Sequence, residues 1–226
     1  MGVHFVLLVF LLPSADAFRI VPRERTSACA EHAVQSARLT SETLLRYGAA
    51  VRLSRSLDDK SRAEAARLLT QLAKDAPWFA QAHYGLGHAH AAREALIPAY
   101  LAFKHYLQFD VHPNDRDDVR TSLATLESKE PLLATYAKGE RAAIDGKWPD
   151  AARLAQEVVA AKPSFSLAHR LLAASYAATG RAEQAIASYE AYLDLDELAV
   201  DRDVVRRIIA DTKAALRERA AHAQRP

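Results

Sequence analysis

The stretch 166-SLAHRLLAASYAATGRAEQAIASYEAYLDLDE-197 decides how this chain folds, because a similar stretch, 80-AQAHYGLGHAHAAREALIPAYLAFKHYLQFDV-111, stands 86 residues before it. Aligned without a gap, the two stretches share Ala82/Ala168, His83/His169, Leu86/Leu172, Tyr106/Tyr192, Leu107/Leu193 and Asp110/Asp196. In each, apolar residues recur three and four positions apart, which predicts two short amphipathic helices. A fixed period of self-similarity indicates a repeat architecture built from such units.

The same offset extends to both sides of these stretches, which indicates an internal duplication. The sequence AARL at 65–68 recurs at 151–154. A shorter period of 34 residues separates Gly146 from Gly180, and Ala151 from Ala185. Turn residues fall where helix pairs need them: Gly146 and Gly180 between the two helices of a pair, Pro77 and Pro163 between successive pairs. We therefore predict two halves, each with two helix pairs.

The two strong units resemble the tetratricopeptide repeat, a 34-residue family with the pattern W-x2-L-G-x2-Y … A-x3-F … P. One unit contains His83-x2-Leu86-Gly87-x2-His90 … Ala99-x3-Phe103, and the other contains His169-x2-Leu172-Ala173-x2-Tyr176 … Ala185-x3-Tyr189. Two weaker units keep only the later part of the pattern. In the two strong units, histidine stands where the family prefers tryptophan. The resemblance covers roughly residues 46–113 and 132–199. It implies an all-α, right-handed α-solenoid of antiparallel helix pairs.

Two further segments, 115–129 and 201–221, predict extra helices packed on the ends of the pairs. Each begins with Asp-Arg-Asp, which suits the first turn of a helix, and each carries an apolar stripe. The predicted organisation is a signal peptide at 1–17, an N-terminal extension at 18–45 with a capping helix at 27–40, a first pair of repeats at 46–113, an extra helix at 114–131, a second pair of repeats at 132–199, and a C-terminal capping helix with a tail at 200–226.

The N-terminal segment is typical of an export signal. Val3 to Leu12 form an apolar run, and Ala15 and Ala17 give the small-x-small pattern that signal peptidases accept, which predicts cleavage after Ala17. The expected location is periplasmic or extracellular. The alternative is a membrane anchor formed by an uncleaved 1–17, although a spanning helix needs about 20 apolar residues. In an exported chain, the single Cys29 is either a small buried residue or part of an intermolecular disulfide.

Composition excludes several classes of protein. Of the 226 residues, 50% are hydrophobic, and the net charge is only +2, so the chain is not of the disordered type. A near-neutral chain is a poor match for nucleic acid, which requires a basic stripe. One cysteine cannot build an internal disulfide framework or a cysteine-rich zinc site.

The pattern of polar residues predicts no catalytic residue, no metal site and no cofactor. His88 and His90 are two positions apart and therefore point to different faces of a helix, whereas metal ligands on a helix are three or four apart. The carboxylate pairs Asp58-Asp59, Asp117-Asp118 and Asp194-x-Asp196 fall at predicted helix ends, where we expect them to be solvated and to stabilise the helix.

The tetratricopeptide resemblance implies binding of a protein or peptide segment in the concave groove lined by the first helix of each pair. By position, the groove residues are Tyr84, His88, Tyr136, Glu140 and Arg170; aromatic and arginine side chains are enriched at binding hot spots. The leading hypothesis is a non-enzymatic scaffold or adaptor of the secretory route or cell envelope. The alternatives are a structural solenoid that self-assembles through its ends, and an enzyme whose site is built from residues distant in sequence.

Overall fold

The computed structural model describes residues 40–109 and 111–223, and every regular element in them is a helix. The predicted signal peptide, Cys29 and all but the last residue of the predicted capping helix at 27–40 lie outside these ranges. The described ranges contain ten helices: α1 Ser41–Ser54, α2 Asp59–Asp75, α3 Ala80–Ala91, α4 Leu96–Tyr106, α5 Pro113–Lys129, α6 Pro131–Ile144, α7 Trp148–Ala161, α8 Ser166–Ala178, α9 Ala182–Leu195 and α10 Arg202–Ala223. The predicted all-α fold is confirmed.

Helices adjacent in sequence form antiparallel pairs, which stack on one another. The pairs are α1 with α2, α3 with α4, α6 with α7, and α8 with α9, and short turns join the two helices of each. Within each half the two pairs also pack together, α2 on α3 and α7 on α8. The extra helix α5 lies between α4 and α6, and α10 packs on α9. The predicted solenoid of helix pairs with extra helices is confirmed.

Local capping explains where several helices begin. The predicted boundary at residue 46 falls inside α1, which starts earlier because the Thr40 side chain accepts a hydrogen bond from the Thr43 backbone N–H. Asp58 caps α2 by accepting from the Ser61 N–H at 2.7 Å, which is the helix-end role predicted for it. Pro113 and Pro131 occupy the first turns of α5 and α6, where a helix N–H has no intrahelical partner.

The duplication is visible in the turns between paired helices. Gly146 and Gly180 both have φ +75°, the left-handed conformation that glycine adopts without steric cost. In the first half, the position 86 residues before Gly180 is Glu94, and it too has a positive φ, 56°. The left-handed turn is therefore retained in the first half, although glutamate stands there in place of glycine.

Edge-to-face aromatic contacts join the pairs and then the halves. In the first half, the rings of Tyr47 and Phe79 lie 5.3 Å apart at 87°. In the second half, Phe165, the equivalent of Phe79, has a similar contact with Tyr136, 5.1 Å apart at 87°. Tyr100 of α4 lies 5.9 Å from Tyr136 at 90°, so that an aromatic cluster runs from the first half into the second. Such pairs add about 0.5–1.5 kcal/mol beyond the burial of their area.

The small residues of the repeat pattern lie where two helices cross. Ala99 and Ala185 are buried. The closest approach is at Gly87 of α3, where a Cβ atom would lie 2.5 Å from two ring carbons of Phe103 in α4. Phe103 is itself 1% exposed, which leaves the ring little room to move.

In the part of the chain that the structure describes, no helix is both long and apolar enough to cross a bilayer.

We expect Gly87→Ala to destabilise the protein. Overpacking against Phe103 costs about 1–3 kcal/mol, whereas alanine is favoured over glycine in a helix interior by roughly 1 kcal/mol. The net loss is therefore about 1 kcal/mol in a urea or thermal unfolding measurement. The matched control is Gly48→Ala in α1, where the nearest atom to a new Cβ is Arg52 Nη1 at 3.6 Å. That substitution should be neutral or stabilising, and equal losses for both variants would contradict the proposed crossing.

Candidate functional site

The five residues predicted to line a groove form two groups in the structure. Tyr84 and His88 lie on α3, while Tyr136 and Glu140 on α6 and Arg170 on α8 lie in the second half. Among the described residues, no hydrogen bond, ion pair or ring contact joins the first group to the second. Whether any of the five binds a partner stays a prediction.

The first group is a pair of rings in edge-on contact beside an acidic helix end. The rings of Tyr84 and His88 lie 4.4 Å apart, and the His88 side chain is 42% exposed. Tyr84 Oη donates to Asp118 of α5 at 3.0 Å, and His88 Nε2 lies 3.9 Å from the same carboxylate. Burial and this hydrogen bond raise the pKa of Tyr84 to about 12, so the hydroxyl is a donor at neutral pH. Burial lowers the pKa of His88, against the opposing effect of Asp118.

The two halves anchor their extra helices in the same way. In the first half, Tyr106 Oη donates to Asp115 of α5 at 3.3 Å. In the second half, at positions 86 residues later, Tyr192 Oη donates to Asp201 at the start of α10 at 2.6 Å. Each Tyr–Asp bond connects the second helix of a pair to the beginning of the helix that follows it.

Arg170 occupies the position equivalent to Tyr84. It contacts both members of the Tyr192–Asp201 bond in the second half. Its Nε donates to Asp201 at 2.7 Å, and its guanidinium lies 6.0 Å from the centre of the Tyr192 ring. The side chains of Arg170 and Asp201 are 12% and 2% exposed. Burial alone would lower the pKa of Arg170, but Asp201 raises it above its ordinary value, so Arg170 stays charged.

Tyr136 and Glu140 belong to a second, partly buried network. Lys104 of α4 donates to both carboxylate oxygens of Glu140 at 2.6 and 2.7 Å, and Tyr136 Oη donates to the same carboxylate at 2.9 Å. Tyr136 is 1% exposed, and its burial raises its pKa well above the ordinary value. The polar groups of both side chains are thus already bonded within the protein.

A polar cluster that the sequence did not predict lies between the halves. His105 Nε2 lies 3.1 and 3.2 Å from the two carboxylate oxygens of Asp196, and Ser166 Oγ donates to that carboxylate at 2.9 Å. The interpretation of Asp196 as a solvated helix-end residue was wrong, because it is 7% exposed and fully engaged. No local signal could have indicated the contact, which spans 91 residues.

This cluster does not have the order of a hydrolase triad. A nucleophilic serine requires the histidine between it and the carboxylate, whereas here Asp196 lies between Ser166 and His105 and accepts from both. Within residues 40–109 and 111–223, no three or more His, Cys, Asp or Glu side chains are grouped so that they could hold a metal ion.

Comparisons with known proteins add little to this description. No family model matches the sequence, and no curated protein matches it. A solved structure titled "MamA RS-1 ArsTM double mutant" aligns with 80% of this chain and 98% of its own length, at 20% identity and a TM-score of 0.30. Identity and superposition at this level do not assign the chain to a family. The class of protein is therefore defined by its own helices: an all-α solenoid of duplicated helix pairs.

We expect Arg170→Met to destabilise the protein by about 3 kcal/mol or more, because it leaves the Asp201 carboxylate buried without its cation. The control is Arg153→Met in α7, whose ion pair with Glu157 is exposed, with side chains 59% and 53% accessible. Exposed pairs contribute about 0–1 kcal/mol. The measurement is the free energy of unfolding in urea for both variants. Similar losses of unfolding free energy in the two variants would show that the Arg170–Asp201 pair does not stabilise the junction between α9 and α10.

Proposed function

We propose that this chain is a non-enzymatic protein-binding scaffold of the tetratricopeptide type. The stack of helix pairs supports the proposal, because repeat solenoids of this kind typically present surfaces for other proteins rather than catalytic sites. The proposed binding surface, named here the α3–α5 surface, consists of Tyr84, His88 and Asp118. The observation that carries it is the edge-on contact between the Tyr84 and His88 rings, which lie beside an exposed carboxylate.

This surface is narrower than the groove expected from the sequence. Tyr136 is 1% exposed, and the Glu140 side chain is 15% exposed and already bonded to Lys104 and Tyr136. Arg170 is committed to Asp201. These three residues suit a role in holding helices together. Tyr84 and His88 are the two of the predicted five that retain solvent-accessible ring surface without an internal ion pair to a buried group.

The chemistry of the α3–α5 surface indicates the kind of partner. Asp115, Asp117 and Asp118 are exposed in the first turns of α5, and Asp118 accepts a hydrogen bond from the Tyr84 hydroxyl. An aromatic platform beside carboxylates favours a segment with a lysine or arginine flanked by an apolar side chain, since the cation can contact both the ring and the acid. We propose that the bound segment is of this basic, partly apolar type.

The test is a capture of binding partners from native extract with three baits. The baits are the parent chain, the double variant His88→Ala/Asp118→Lys, and the control Glu157→Lys on α7. The Asp118 and Glu157 side chains are 55% and 53% exposed, so both charge reversals fall at comparable positions. We expect the parent and the control to retain a partner that the double variant loses at least tenfold. Circular dichroism should give the same helicity for all three baits.

A basic peptide from the captured partner then provides the quantitative arm, with its Kd measured against each bait. Equal binding by all three baits would contradict the α3–α5 surface while leaving a scaffold role in place. Failure to capture any partner with the parent chain would contradict the scaffold proposal itself.

We propose further that the chain is exported and that residues 1–17 are removed. The support is the apolar run from Val3 to Leu12 and the small residues at Ala15 and Ala17. The expected intact mass of the protein from its native source is that of a chain beginning at Phe18. A mass that retains Met1 to Ala17 would contradict cleavage and favour the membrane-anchored alternative.

A further inference from the structure

We propose that His83, His105, Ser166 and Asp196 form a pH-sensitive latch, which holds the segment 196–198 of the second half against α2–α4 of the first half at neutral pH and releases it in acid. His83 neighbours Tyr84 of the α3–α5 surface on α3, but the latch contacts lie with α4, the start of α8 and the end of α9, and their role goes beyond the proposed function.

One carboxylate ties three helices together. Asp196, directly after α9, accepts from His105 at the end of α4, from Ser166 at the start of α8, and from the Leu198 backbone N–H at 3.2 Å. His105, Ser166 and Asp196 are 2%, 1% and 7% exposed. Because the cluster is buried, its hydrogen bonds are lost only if the segment 196–198 moves away from α4 and α8.

Within the cluster, His83 is the residue whose burial in the closed arrangement disfavours protonation. It is 1% exposed, and its ring lies 5.6 Å from His105 and 5.7 Å from Phe109. Among the described residues, neither ring nitrogen of His83 has a hydrogen-bond partner. The titratable groups that face it are His105 from α4 and Asp196 from the end of α9. An added proton at His83 would have no acceptor, and a neighbouring imidazole would oppose it.

The segment held by the latch makes a compact contact with the first half. The Leu198 side chain packs against the apolar clusters of α1–α4, against which Tyr47 and Trp78 also pack. The neighbouring Glu197 forms an ion pair with Lys74 of α2, which lowers the pKa of Glu197. This ion pair is exposed and contributes little at moderate salt. Release of Asp196 would therefore leave mainly the Leu198 contact to hold the segment.

The direction of the pH effect follows from linkage. Burial lowers the pKa of His83 from 6.5 to about 3, with His105 acting in the same direction and Asp196 against it. In an open state that admits water, His83 regains its ordinary pKa, so the open state binds the proton more tightly. Acidification from pH 6.5 toward 3 therefore favours opening. Burial alone would raise the pKa of Asp196, but His105 and Ser166 hold it below 3.8, so its protonation contributes only at lower pH.

Tryptophan emission can report on the latch directly. The chain has two tryptophans, and Trp148→Phe leaves Trp78, which lies in the cluster that Leu198 contacts. In this background we expect the Trp78 emission to change as the pH falls from 7.5 to 3.5, before the far-UV circular dichroism of the helices is lost. Loss of both signals at one midpoint would indicate global acid unfolding and would overturn the proposal.

The duplication provides a matched pair of variants. His83→Leu removes the titrating group at the latch, and we expect it to lower the Trp78 midpoint by at least one pH unit. The control is His169→Leu, the equivalent position 86 residues later, where the ring is half-buried and Nε2 donates to the Pro163 carbonyl at 2.8 Å. The control should leave the midpoint unchanged. An unchanged midpoint in His83→Leu, or an equal shift in both variants, would overturn the latch.

A second measurement keeps the test decisive if His83→Leu does not fold. The ring protons of the histidines can be followed by NMR in the Trp148→Phe protein as the pH is lowered. His83 should titrate together with the Trp78 emission change. Titration of His83 near pH 6.5, without any change in Trp78, would contradict the latch.

Discussion

The ring of Tyr136 lies edge-on between Tyr100 and Phe165, and this contact holds the two halves of the chain together. All three rings are buried, and the hydroxyl of Tyr136 needs an acceptor at that depth, which Glu140 provides. Glu140 in turn needs a cation, and Lys104 reaches it from the first half. The aromatic contact thus determines the buried polar network around it, and it withdraws Tyr136 from any role at the surface.

The duplicated halves share one Tyr–Asp hydrogen bond but differ in the residue that packs on its tyrosine. Tyr106–Asp115 and Tyr192–Asp201 are the same bond at equivalent positions, and each anchors the helix that follows. The residue packed on the tyrosine differs, because Tyr84 in the first half is replaced by Arg170 in the second. The arginine forms a buried ion pair and closes that junction. The tyrosine forms a neutral hydrogen bond to an exposed aspartate and leaves ring surface accessible. A binding role is therefore easier to support in the first half.

The duplicated histidine position shows how the same divergence creates a contact between the halves that includes a titratable group. His83 and His169 occupy equivalent positions, yet only His83 lies against a second histidine and a buried carboxylate from the other half. An ionisable group that is buried without a partner couples its protonation to opening of its surroundings. The α3–α5 surface and the latch share α3 but meet different elements. Tyr84 and His88 face Asp118 of α5, whereas His83 faces His105 of α4 and Asp196 after α9.

The sequence by itself determined the helices, their pairing, the turns at Gly146 and Gly180, and the extra helices α5 and α10. These features follow from interactions between residues close in the chain, and the 86-residue offset adds the duplication. For the candidate site, it put Tyr84 and His88 four positions apart on the first helix of one pair, a spacing at which side chains are neighbours. It did not indicate that Tyr136 is covered by Tyr100, that Arg170 is paired with Asp201, or that His105 meets Asp196. Only the tertiary structure decided these contacts, because helical periodicity specifies which face of a helix a residue occupies, but not which distant helix covers that face.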